Sequence, residues 1–121
     1  MIRLLKRRLV PKTTSYTVSP AKGDFSGSIF TTRGAVGAIV FTLPSPQPSL
    51  AETFYDFINI VDQNMTVAAP AGKVLTFNNA AAASVAALTA GQKIGAIISA
   101  YCDGVSWVVV GGTVGATYTV A

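Results

Sequence analysis

Ala100-Tyr101-Cys102-Asp103-Gly104-Val105-Ser106-Trp107-Val108 is the stretch on which the fold turns. Strand-favouring and aromatic residues flank an Asp-Gly pair, which tolerates left-handed backbone and suits the type I′ turn of a tight hairpin. The stretch therefore predicts two antiparallel strands, over residues 93–102 and 106–110.

The same grammar runs outward through most of the chain. Short runs rich in Val, Ile, Thr and aromatics predict strands at 28–32, 36–43, 53–61, 73–77 and 116–120 as well. Turn signals separate them: Arg33-Gly34, the proline-rich 44–48, 62–64, Ala71-Gly72, Asn78-Asn79, Ala90-Gly91 and Gly111-Gly112. This regular spacing predicts an all-β fold, an antiparallel sandwich or jelly-roll-like barrel. Residues 80–90 are ambiguous. Their alanines favour helix, but Ser84, Val85 and Thr89 fit a loop followed by a short strand, which is the reading adopted.

Several of these strands are apolar on both faces. Phe54, Ile58 and Ile60 share one side of 53–61, while Tyr55, Phe57 and Val61 share the other. In an antiparallel sheet, two-sided burial calls for a second layer or a neighbouring subunit. Composition points the same way: 50% of the residues are hydrophobic and 12% charged, against about 25% charged in an average soluble domain. An oligomer is expected.

Charge is segregated along the chain. Residues 1–22 carry Arg3, Lys6, Arg7, Arg8, Lys12 and Lys22 and no acid, whereas the rest holds three bases and five acids. The expected organisation is a basic N-terminal arm (1–22) and a β domain (23–121), divided at Pro20 and Lys22-Gly23-Asp24. The arm also carries Leu4, Leu5 and Leu9, too much apolar surface for an idle tail. Arg3, Leu4, Leu5, Lys6, Arg7, Arg8, Leu9 and Lys12 are therefore the candidate partner-binding residues, and an acidic protein is the expected partner. Deleting residues 1–12 is expected to leave the β domain folded.

No catalytic constellation emerges. The chain has no histidine and one cysteine, Cys102, so it assembles neither a zinc site nor a nucleophile–base pair. Glu52, Asp56 and Asp62 lie too far apart along an extended chain for paired-carboxylate chemistry and read as solvated charges. Trp107 reads as a core residue, Cys102 as buried and inert, and 44–48 as a rigid crossover. The expectation is a non-enzyme without metal or cofactor. No stretch reads as a signal peptide or membrane span. The β body lacks the interleaved basic and aromatic surface of a nucleic-acid binder, so neither nucleic acid nor membrane is an expected partner.

A composite pattern adds to this reading. It runs through Ala38-Ile-Val-Phe-Thr-Leu-Pro44, Phe54-Tyr-Asp-Phe57, Met65-Thr-Val-Ala-Ala-Pro-Ala-Gly72, Ile94-Gly-Ala-Ile-Ile98 and Asp103-Gly-Val-Ser-Trp-Val-Val-Val-Gly111. Together these segments resemble a β-rich module of tailed-bacteriophage virion proteins, found in capsid decoration proteins, head fibres and tail fibres. The resemblance implies a homotrimeric structural protein of the virion, assembled in the host cytoplasm. A short arm before a nearly solitary module fits a decoration (cement) protein on the major capsid protein or another virion protein. The alternative is a head- or tail-fibre module that binds a host receptor or glycan, for which Trp107, Tyr101 and Tyr118 would have to be exposed together.

Overall fold

Alternation between inward and outward side chains sets the architecture. In the strand Phe54–Ile58, Tyr55 and Phe57 are fully buried while Phe54, Asp56 and Ile58 face the other way. The computed structural model describes residues 7–111 and 118–121. In chain order its strands are β1 (Leu9–Pro11), β2 (Tyr16–Thr17), β3 (Ile29–Thr31), β4 (Ile39–Thr42), β5 (Phe54–Ile58) and β6 (Met65–Ala68). They continue as β7 (Val74–Thr76), β8 (Asn79–Ala82), β9 (Ser84–Ala87), β10 (Ile97–Cys102), β11 (Trp107–Gly111) and β12 (Tyr118–Val120). The protein is all-β, in two sheets. One has the order β1-β3-β5-β10-β11-β7-β8 and the other β12-β9-β6-β4-β2.

The expected antiparallel arrangement is corrected: both sheets are mixed. From β1 to β7 each strand lies in the opposite sheet from the one before it. The chain thus crosses between layers at each turn and returns to the first sheet running in its earlier direction. This places β1, β3 and β5 parallel in one sheet, and β2, β4 and β6 parallel in the other. The turn signals at 33–34, 44–48 and 62–64 are arches between layers rather than hairpins. Both sheets end in edge strands and no ladder joins them, so the described residues form a sandwich-like pair of layers and not a closed barrel.

Residues assigned to the arm take part in both layers. β1 pairs in parallel with β3 through Leu9, Val10 and Pro11, and β2 pairs with β4. Val10 and Val18 are buried in the core, and Lys12 N–H donates to Thr31 O at 2.8 Å. The arm as a segment outside the β body therefore does not extend over 1–22, and truncation through Lys12 would remove an edge strand. Val10 favours a strand, and the neighbouring charges sit comfortably on an edge strand. Arg3, Leu4, Leu5 and Lys6 lie outside the described residues.

The hairpin β10–β11 is present, but its loop differs from the expected two-residue turn. Cys102 pairs with Trp107, leaving Asp103, Gly104, Val105 and Ser106 in the loop. Gly104 has φ 95°, while Asp103 is not left-handed. Instead the Asp103 carboxylate accepts from Val105 N–H at 2.9 Å and Ser106 N–H at 2.7 Å. Those bonds, the one from Ser106 first, hold its carboxyl below the usual range. The two-residue left-handed turn occurs at Phe77 (φ 44°) and Asn78 (φ 67°), between β7 and β8.

Residues 79–87 form β8 and β9 rather than loop and one strand, changing layers at Ala83. β6 falls at Met65–Ala68, a segment outside the strand runs read from residue composition. Of the predicted strand at 116–120, Tyr118–Val120 is β12, and residues 116 and 117 lie outside the described set.

In-register ladders build the core. Val10, Phe30 and Phe57 are successive Cα partners across β1, β3 and β5. Phe30 stacks on Phe57 with centroids 5.5 Å apart, and Phe41 reaches across from the other sheet to Phe57 at 4.9 Å. Trp107 is fully buried, and its Nε1–H donates to Pro44 O at 2.8 Å. The 44–48 segment is accordingly a crossover from β4 to β5, fastened by the tryptophan.

Buried polar groups tie the arches to one another. Thr32 Oγ1 donates to Asn59 Oδ1 at 2.7 Å and accepts from Ile60 N–H, while Asn59 Nδ2 donates to Gln63 O. Asp24 Oδ2 accepts from Tyr16 O–H at 2.6 Å and Ser19 N–H at 2.9 Å, and Tyr55 O–H donates to Asp24 O. Satisfied networks of this kind fix register where apolar contacts alone would permit slippage. Gly111 plays a steric part: a Cβ there would lie 2.4 Å from the Tyr118 ring, whose O–H donates to Ile97 O.

Candidate interaction face

The outer face of the seven-stranded sheet can be assembled from register alone. One row runs Phe54, Tyr101, Val108, Leu75, and the next runs Leu9, Ile29, Asp56, Ser99, Val110. Alternation puts Tyr55, Phe57, Ala100 and Val109 in the core, so these outward partners follow from the pleat. Tyr101 is 47% exposed, Val110 45% and Leu9 65%. Phe54 stacks on Tyr101 with centroids 6.1 Å apart. Phe77, at the β7–β8 turn, stacks on Tyr118 and is also exposed. From Val74 to Gln92 the chain carries no charge at all, so the β8 end of this sheet is neutral.

A polar network crosses this apolar face at its centre. Asp56 accepts from Ser99 Oγ–H at 2.5 Å and is ion-paired with Arg7 at 2.6 Å. The Arg7 guanidinium lies 5.2 Å from the Phe54 ring centroid, and its Nε–H donates to Gly27 O at 2.8 Å. Asp56 is thus a half-buried, paired carboxylate and not the solvated charge its sequence spacing implied. Arg7 is 41% exposed, so the pair contributes on the scale of a surface ion pair, and its main effect is to fix both side chains.

The described partner-binding candidates lie at one edge of the fold, where Arg7 and Lys12 are turned onto the body and Arg8 and Leu9 are not. Arg7 is held by Asp56. Arg8 is exposed, with one donation from Nη1 to Gly23 O at 3.3 Å. Lys12 Nζ sits 3.6 Å from the Tyr16 ring centroid, a cation–π contact. Leu9 points outward on β1. Sequence reasoning missed Asp56, Ser99 and Phe25. The signal for Phe25 was present: a lone aromatic within Gly23-Asp24-Phe25-Ser26-Gly27, a turn run that offers no core to bury it.

The structure also places Cys102 and Trp107. Cys102 is buried and its Sγ accepts from Gly104 N–H at 3.4 Å. Trp107 is in the core, so Trp107, Tyr101 and Tyr118 do not form one exposed platform. Among the described residues no cluster of three or more His, Cys, Asp or Glu side chains could hold a metal ion. No helix among them is long and apolar enough to cross a membrane. No family model, curated protein or solved structure matches this chain.

Proposed function

We propose that this chain is a non-enzymatic structural protein of a virion, a trimeric decoration protein set on a capsid surface. The observation that carries the assembly half of this reading is the outer face of the seven-stranded sheet. Phe54, Tyr101, Val108 and Val110 are outward-facing there, on strands whose inner faces already fill the core. Copies of the same chain cover that surface most simply. The virion half rests on the composite sequence pattern described above and on the basic N-terminus.

Attachment then combines two elements: Arg3, Leu4, Leu5 and Lys6 ahead of β1, and the cationic edge formed by Arg7, Arg8 and Lys12. Exposed cations steer the chain to an acidic surface, and apolar side chains hold it there. Trimerisation multiplies a weak contact through effective concentration.

Particles provide the test. The chain is expected in purified virions at a stoichiometric ratio to the capsid subunit, and it should rebind heads stripped of it. Truncation of residues 1–6, which spares β1, should lower occupancy and weaken its dependence on salt. Absence from purified particles, with no binding to stripped heads, overturns the reading.

A further inference from the structure

The seven-stranded sheet is electrically lopsided. Its β1 end carries Arg7, Arg8 and Asp56 on or beside the outer face. The neighbouring strands β11, β7 and β8 at its other end carry no charged side chain, because residues 74–92 and 104–121 contain none. Lys73 and Asp103 sit before β7 and β11, at the ends of those strands away from Phe77, and Lys93 belongs to the arch that enters β10. The two edge strands differ in the same sense. β1 is flanked by Arg8 and Lys12 and ends in Pro11, features that keep sheet edges apart, whereas β8 has neither charge nor proline.

Apolar surface collects at the neutral end. A pocket of about 340 Å³ lies at the turn between β7 and β8, with Leu75, Phe77, Ala80, Val108 and Val110 in its lining. Phe77 stacks on Tyr118 yet stays 54% exposed, and Val110 and Val108 are 45% and 36% exposed. Apolar side chains that share one concavity form a patch, unlike an isolated exposed ring. We propose that this neutral end, β11-β7-β8, is the surface through which copies of the chain contact one another, with the β1 end held away from the symmetry axis.

Symmetry selects a second copy over a foreign partner. Near a rotation axis each group meets copies of itself, so any charge there is repelled by its own kind. A charge-free strip is what a self-contact requires, whereas a foreign partner gains specificity and speed from complementary charge. The β1 end fails this condition. Bringing copies of Arg8 together costs repulsion, and burying the Arg7–Asp56 pair costs desolvation. Asn79 Oδ1 accepts from Ala81 N–H at 2.9 Å and so satisfies a donor on the β8 edge. Side-chain packing therefore carries the contact, rather than strand addition.

This inference rests on the assembly reading above and narrows it to one end of the face. Spin labels on Ala80→Cys and, separately, Leu9→Cys chains report the orientation, since both positions are exposed and Cys102 is buried. β1 lies six strands from β8, which is about 29 Å at about 4.8 Å per strand. Distances between copies, read by pulsed dipolar spectroscopy, should be shorter at Ala80 than at Leu9 by about 20 Å or more. Ala80→Lys should weaken self-association about tenfold or more, because each new charge faces its own copies. Val36→Lys, on the 92% exposed tip of the β3–β4 arch, should leave association unchanged. Both positions lie outside the core, so both variants should fold. Equal or reversed distances in a chain that light scattering shows to be a trimer overturn this inference and leave the assembly reading standing, as does association indifferent to Ala80→Lys. A dimer with the short distance at Ala80 sustains the contact and refutes the trimer. A monomer without dipolar coupling between copies overturns both.

Discussion

Replacing Trp107 with alanine is expected to cost about 3–5 kcal/mol of folding stability, the range for truncating a fully buried aromatic. The side chain is completely enclosed, contacts the Tyr55 ring at a centroid distance of 6.1 Å, and pairs through Cys102 with the closing hairpin. Its removal also frees Pro44 O, the acceptor that fastens the β4–β5 arch. Two layers and one crossover lose their common anchor together. Chemical denaturation at neutral pH checks this. A loss below about 1 kcal/mol, the level of a surface change, would mean that the ring is not in the core.

The second large effect is set by pH. Tyr55 is fully buried and its hydroxyl donates to Asp24 O at 2.7 Å. Burial, with smaller contributions from the Asp24 charge and Tyr16, pushes its pKa up from 10.0 to about 12. Because the folded pKa lies above the unfolded one, the folded state holds the proton more tightly. The stabilisation is complete below pH 10 and is lost as pH rises from 10 to about 12. The expected loss across that window is about 2–3 kcal/mol. In Tyr55→Phe most of this alkaline limb should vanish, leaving a residual limb from Tyr16, whose pKa is raised by its donation to Asp24. Superimposable alkaline limbs for the two chains would contradict the Tyr55–Asp24 assignment.

The all-β class was legible because alternation leaves a direct trace in residue order. That Tyr55 and Phe57 share one side of a strand and Phe54 and Ile58 the other could be read without coordinates, but not which side faces inward, because both are apolar. Pairing direction could not be read either. An arch that carries the chain to the other layer and a hairpin that returns it to the same sheet use the same Gly, Pro, Asn and Asp residues. The signals at Arg33-Gly34 and Asp62–Asn64 therefore mark turns without saying whether the chain stays in its sheet or crosses to the other layer. β1 was hidden for a different reason. Leu9-Val10-Pro11 is an apolar triplet beside Arg7 and Arg8, and charge dominated its reading although an edge strand accommodates both.

The site was partly legible. The basic N-terminal residues stand out in the sequence, but their partners within the fold do not, since Asp56 lies 49 positions from Arg7 and meets it only when β1 and β5 share a sheet. The same long-range pairing brings Ser99 to Asp56. The folding of the 25–28 loop back onto Phe54 is likewise a contact of tertiary origin.

Assembly through the outer sheet face is the central claim, and the molar mass of the full chain in solution tests it most directly. Light scattering at micromolar concentration should give a trimer, and Val108→Lys combined with Val110→Lys should give a folded monomer, since both side chains point out of the core. A wild-type chain that runs as a monodisperse monomer, or a trimer indifferent to both lysines, would contradict the account.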